Sequence, residues 1–165
     1  MKQKGSGGKL KRSEVVTVRL DPRLRYGVEL AARKHRRTAS SFIEWAIEQS
    51  LKEVVIRVDE DEPWPRTAED ALDQVWDVDE PDRFIKLAVR FSELLSHEEQ
   101  ALWKLVRECD GLWPTSANAV DKANGININL ITLREYWDDL LSVSKGEMKR
   151  TELSDEVTGA PGWGC

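Results

Sequence analysis

Residues 13–54 read SEVVTVRLDPRLRYGVELAARKHRRTASSFIEWAIEQSLKEV, and the fold follows from them. In 14–20, Val16, Val18 and Leu20 alternate with Val15, Thr17 and Arg19. Period two with three valines predicts a strand. Asp21-Pro22 ends it and starts a helix, because Asp caps well and Pro is pre-set for the first helical position. Leu24, Val28, Ala31 and Ala32 then recur at helical spacing. The basic run His35-Arg36-Arg37 interrupts the apolar pattern. Thr38 caps a second predicted helix, with Phe42, Ile43, Ala46, Ile47, Ser50 and Val54 along one side.

A lone strand is unstable, and two helices with these stripes carry more apolar surface than they can hide on each other. A homodimer resolves both problems. Two copies of the strand pair antiparallel, and four helices close over a dimer core of Val16, Val18, Leu20, Leu24, Val28, Phe42, Ile43, Ala46 and Ile47. Val15, Thr17 and Arg19 then face outward on a two-stranded ribbon, an element that fits the major groove of DNA.

The order of strand, Asp-Pro helix start, basic turn and Thr/Ser-capped helix over 13–54 resembles the ribbon-helix-helix (Arc/MetJ-type) DNA-binding family. The resemblance covers about a quarter of the chain and implies an obligate dimer. By position it places base contacts on Val15, Thr17 and Arg19, and a phosphate clamp on the backbone of Thr38, Ala39 and Ser40. Val15 departs from the usual polar choice. Arg19 suits guanine, since its fork can bond O6 and N7 together, whereas Thr17 can bond several bases. A solvent-facing strand would carry the same residue types; the basic turn and the Ser/Thr-rich helix start favour DNA. Free N–H groups at a helix start attract anions, and Arg36 and Arg37 stand beside them as further phosphate contacts. His35 is expected to act as a charge partner for the first helix's C-terminus. Gly27 falls mid-helix, where it costs stability.

The 165 residues suffice for one ordinary domain or two small ones. The net charge of −5 argues against nucleic acid, but residues 1–53 carry +7 and residues 54–165 carry −12. A split of this size points to a basic binding module joined to an acidic second domain. Two cysteines, Cys109 and Cys165, and two distant histidines, His35 and His97, support neither a disulfide framework nor a metal site. No cofactor is implied. No apolar run approaches a membrane span or a signal peptide, so the cytoplasm is the expected location.

The expected organisation is a flexible basic arm at 1–12, the ribbon-helix-helix module at 13–55, an acidic, Pro-containing linker at 56–66, a helical domain at 67–143 and a disordered tail at 144–165. Lys9, Lys11 and Arg12 of the arm would follow the DNA backbone. The helical domain is read as about five helices. Thr67 caps 68–76, with Ala68, Ala71, Leu72 and Val75 inward. Pro81 opens a helix bearing Phe84, Leu87, Ala88, Phe91, Leu94 and Leu95. Ser96 and Glu99 form a capping box before Leu102, Leu105, Val106 and Cys109. A short helix covers 116–124, and Asn127 caps a last helix through Leu141. Trp76, Trp103 and Trp137 are expected in the core, and Trp64 and Trp113 as contact anchors in turns. A second helix-turn-helix over 116–141 is disfavoured by Asp121 and by the domain's acidity. Catalysis lacks a plausible relay, so no enzyme is expected.

The fold class expected is therefore mainly α: one strand and two helices, then an all-α domain. The function expected is sequence-specific binding of double-stranded DNA by a transcriptional repressor. The dimer would assemble into tetramers or larger on DNA, or bind a protein partner, through the helical domain. Two alternatives share the resemblance: an antitoxin whose C-terminal domain binds its toxin, and a plasmid segregation or conjugation accessory protein.

Overall fold

Two helices of 13 residues open the described chain: α1 over Pro22–Lys34 and α2 over Ala39–Leu51. Both begin as their sequence dictates. The Asp21 carboxylate accepts from the amides of Arg23 and Leu24 at 2.9 and 3.0 Å, and Thr38 Oγ1 accepts from Ser41 N at 3.1 Å. These caps satisfy N–H groups that no helical carbonyl can reach. The computed structural model describes residues 15–57, 66–113 and 127–159. The expected arm, most of the expected linker with Trp64, and the expected helix at 116–124 lie outside those residues.

The chain is mainly helical, with a small antiparallel sheet of β1, Val55–Arg57, and β2, Arg66–Thr67. This sheet corrects the linker reading, because its strands stand at both ends of that stretch. The short helix α3, Ala68–Val75, follows β2 directly. Thr67 caps it as expected, in a reciprocal bond with Asp70: the Asp70 carboxylate accepts from Thr67 N and Oγ1, both at 2.8 Å. The hydrogen bond from the Thr67 amide, foremost, holds the Asp70 carboxyl below its ordinary range. Ala71 is buried, but Leu72 is exposed, so the inward stripe is narrower than predicted.

The described residues fall into two units, one through Gln74 and one from Val75. Through Gln74, the only fully buried apolar side chains among them are Ala32 and Ala71. The second unit has an ample core. Its helices are α4, Glu80–Arg90; α5, His97–Arg107; α6, Leu130–Glu135; α7, Trp137–Ser144; and α8, Asp155–Thr158. Phe84, Ile85, Leu102, Val106, Leu133 and Leu140 are all buried there. The Ser96–Glu99 capping box is present: Ser96 N donates to Glu99 Oε2 at 2.7 Å and Glu99 N to Ser96 Oγ at 3.2 Å.

Several expectations are corrected in this unit. Asn129, not Asn127, caps α6, accepting from Thr132 N at 3.2 Å. The last long helix is two, broken at Tyr136. The helix expected to carry Leu94 and Leu95 stops at Arg90, a 3-10 turn follows, and Leu94 is exposed. Trp76 is 54% exposed, while Trp137 is buried as expected. Trp113 is half-buried, and its Nε1 donates to the Val106 carbonyl at 2.9 Å, so it packs rather than projects.

The tail assignment fails for 144–159. Leu153 and Val157 are buried in the core, and Arg150 Nη2 donates to the Glu108 carbonyl at 3.0 Å. The backbone of α8 lies against Gly111, where an added Cβ would stand 2.0 Å from Glu156 O. Gly159, at φ 79°, ends the helix in the left-handed region. Among the described residues, no helix is long and apolar enough to cross a membrane.

Candidate nucleic-acid interface

Residues 15–20 form no helix and pair with no strand among the described residues. Their alternation leaves apolar and polar groups alike in solvent. Val15 is 96% exposed, and Thr17 and Arg19 are exposed beside it. Val16 and Val18 are exposed too, at 79% and 66%, and Leu24 and Ile47 follow at 53% and 56%. Leu20, Val28, Phe42, Ile43 and Ala46 are half-buried. The nine residues expected in a dimer core are thus partly or fully uncovered in one copy.

The turn between α1 and α2 is tightly built. Arg37 N donates to Ala32 O at 2.9 Å and Arg36 N to Arg33 O at 3.1 Å. This paired closure of a helix C-terminus needs a left-handed residue after the cap. Arg36 fills that place at φ 53°. The His35 ring lies 5.6 Å from Phe42 and 5.0 Å from Trp45, and the Arg37 guanidinium stands 5.6 Å from the Trp45 ring. His35 sits at the helix end, as expected, but its ring serves as packing against α2.

The turn therefore delivers Arg36 and Arg37 to the start of α2. There Thr38, Ala39 and Ser40 are exposed. The first amides of a helix have no carbonyl to bond, and they sum to a partial positive charge. A phosphate oxygen is the natural acceptor for such N–H groups. The structure brings together Arg36, Arg37, Thr38, Ala39 and Ser40. Lys9, Lys11 and Arg12 lie outside the described residues. Sequence reasoning missed the aromatic support under Arg37 and the strained backbone at Arg36. Trp45, three residues after Phe42 on α2, was the available signal for the first.

A second cluster competes for attention. The carboxylates of Asp77, Asp79 and Asp82 approach within 4.8 Å of one another. Cations of the chain already meet them. Arg134 makes a forked pair with the buried Asp82, with Nε 2.8 Å from Oδ1, and it reaches Asp79 at 3.9 Å. Lys86 Nζ lies 2.5 Å from Asp77 Oδ2. That Lys86 bond, then the Asp79 amide, holds the Asp77 carboxyl below its ordinary range. The hydrogen bond to Asp82 raises the Arg134 guanidinium. This is an ion-pair network that ties α4 to α6, with two cations set against three carboxylates. Cys109 is fully buried, and burial pushes its thiol up, away from the thiolate a nucleophile or ligand needs.

Comparison with protein-family models, with curated proteins and with solved structures finds no match to this chain.

Proposed function

We propose that the chain is a homodimeric, sequence-specific DNA-binding transcriptional regulator, a repressor in its simplest form. In this reading 15–20 pairs with its copy as an antiparallel ribbon in the major groove. Thr17 and Arg19 read bases, and Val15 touches a thymine methyl or sugar. The starts of both α2 helices hold phosphates, helped by Arg36 and Arg37. Repression follows from covering a promoter. The observation that carries the reading is the uncovered stripe of Val16, Val18, Leu24 and Ile47, beside a basic helix start. An apolar face of this kind marks an association surface, and strand pairing with a second copy would cover it while turning Thr17 and Arg19 outward.

Selection of bound sites from random DNA tests it, and an enriched sequence is expected. Arg19→Ala should then cost about 1–3 kcal/mol on that site and little on random DNA. Equal losses on both would make Arg19 a backbone contact. Failure of any sequence to enrich would sink the reading.

A further inference from the structure

The helix-start clamp at Thr38, Ala39 and Ser40 leaves the flank of α2 without a role, and Trp45 sits on that flank. It lies nearly two turns into the helix. Helical side chains lean back toward the N-terminus, so its ring covers the turn before it. Phe42, on that turn, stands 5.5 Å from the Trp45 ring, and the His35 ring lies against both. Three rings in pairwise contact brace the indole. The Arg37 guanidinium then stands 5.6 Å from the Trp45 centroid. Cation–π attraction acts within about 6 Å of a centroid.

The charge of Arg37 is fixed but not neutralised. Arg25 and Arg33 pair with Glu29 at 3.5 and 4.0 Å. Arg37 is exposed and makes no ion pair among the described residues. A free arginine loses rotamer freedom when it takes hold of an anion, and a stacked one has lost part of it beforehand. The indole adds a donor of its own. Trp45 is half-buried, and its Nε1 donates to no group among the described residues. Glu48 is one turn further along α2, on the side from which the ring leans away. A guanidinium and an N–H donor together, with no acceptor of their own, form a place for an oxyanion.

We propose that Arg37 and Trp45 make a second phosphate-binding subsite, separate from the helix-start clamp. The ring positions the guanidinium, and the indole N–H donates beside it. The ligand is a phosphate of the DNA backbone, so this rests on the DNA-binding reading above. Each protomer then holds two phosphates, at places about 5 Å apart along α2. Contacts of this kind add affinity and salt dependence without reading sequence.

The full chain is titrated onto the selected site and onto random duplex at several salt concentrations. Arg37→Gln, Trp45→Leu, Trp45→Phe and the Arg37→Gln/Trp45→Leu pair are compared with the wild type, and circular dichroism and sedimentation check that each folds and dimerises. Arg37→Gln and Trp45→Leu should each weaken binding about tenfold, the loss expected when a bond to a charged group goes. Each should also lower the slope of log affinity against log salt by about 2, one phosphate per protomer. The pair should lose little more than either alone, because both changes empty one subsite. Trp45→Phe keeps a ring for Arg37 and removes only the N–H, so it should bind between the wild type and Trp45→Leu with the slope retained. The ratio of specific to random affinity should hold in all four. Additive losses, an unchanged slope in Arg37→Gln, or wild-type binding by Trp45→Phe overturns the subsite while leaving the DNA-binding reading intact. Should Trp45→Leu fail to fold, Arg37→Gln and Trp45→Phe decide. If no sequence is enriched, that reading falls, and the same slopes on random duplex still decide the subsite. A wild type with no affinity for any duplex sinks both.

Discussion

Arg36 occupies a position that ordinarily selects glycine. At φ 53° its Cβ crowds the backbone, which costs an L residue about 1–2 kcal/mol. Its amide and that of Arg37 nevertheless close the end of α1. A residue kept in that conformation against its preference suggests a use for its side chain. Arg36→Gly should therefore stabilise the fold by about 0.5–1 kcal/mol, after allowing for glycine's greater freedom when unfolded. Under the proposed function it should also weaken DNA binding and flatten its salt dependence, because the proposed phosphate contact would be lost. Urea unfolding and salt-titrated gel shifts check the two halves. A variant that is less stable would mean that the Arg36 side chain supports the turn itself.

At the scale of elements, the docking of α8 turns on backbone contact rather than on side-chain area. Gly111 admits the Glu156 carbonyl where any Cβ would collide, and Gly159 packs back against Gly111 N and Asp110. Gly111→Ala should cost about 1–3 kcal/mol as an overpacked contact. It should also free 150–159 to a protease, seen as early cleavage after Lys149 or Arg150. Cleavage at the wild-type rate would show that α8 can shift to make room. This element was the least legible in the sequence. A four-residue helix has almost no periodicity and holds only because Leu153 and Val157 reach the core. The sheet was missed for a similar reason, being two very short strands in a stretch that read as linker. The Asp82–Arg134 pair, 52 residues apart, leaves no local signature at all. What was legible carried its own chemistry nearby: the caps at Asp21, Thr38, Thr67 and Ser96, and the stripes of α4 and α5. The residues of the candidate interface were legible as a pattern, since alternation at 15–20 and the basic turn are local. Their partner was inferred from surface that one copy leaves uncovered.

Across the molecule, the two units should differ in what holds them folded. The second buries many large apolar side chains within one copy, at about 25 cal/mol per Å² removed from water. The first buries only two alanines among its described residues and exposes Val16, Val18, Leu24 and Ile47. In the proposed dimer a second copy supplies the missing burial, and the free energy of a dimer depends on protomer concentration. Calorimetry of the full chain should show two transitions. The first unit's midpoint should rise with protein concentration, and the second's should not. Acid should act on the second transition. The folded-state pKa of Asp77 lies below its unfolded value of about 3.9, so its ion pair with Lys86 contributes fully above that pH. That contribution fades as pH falls through the lower folded value, because the unfolded chain takes up the proton first. Below about pH 4 the second transition should shift down, and Asp77→Asn should remove that part of the shift. Trp45 reports on the first unit and Trp103 and Trp137 on the second, so fluorescence with one set replaced by Phe assigns each transition. A first transition independent of concentration would mean that a single copy holds α1 and α2 together, which would remove the reason for pairing 15–20 as a ribbon.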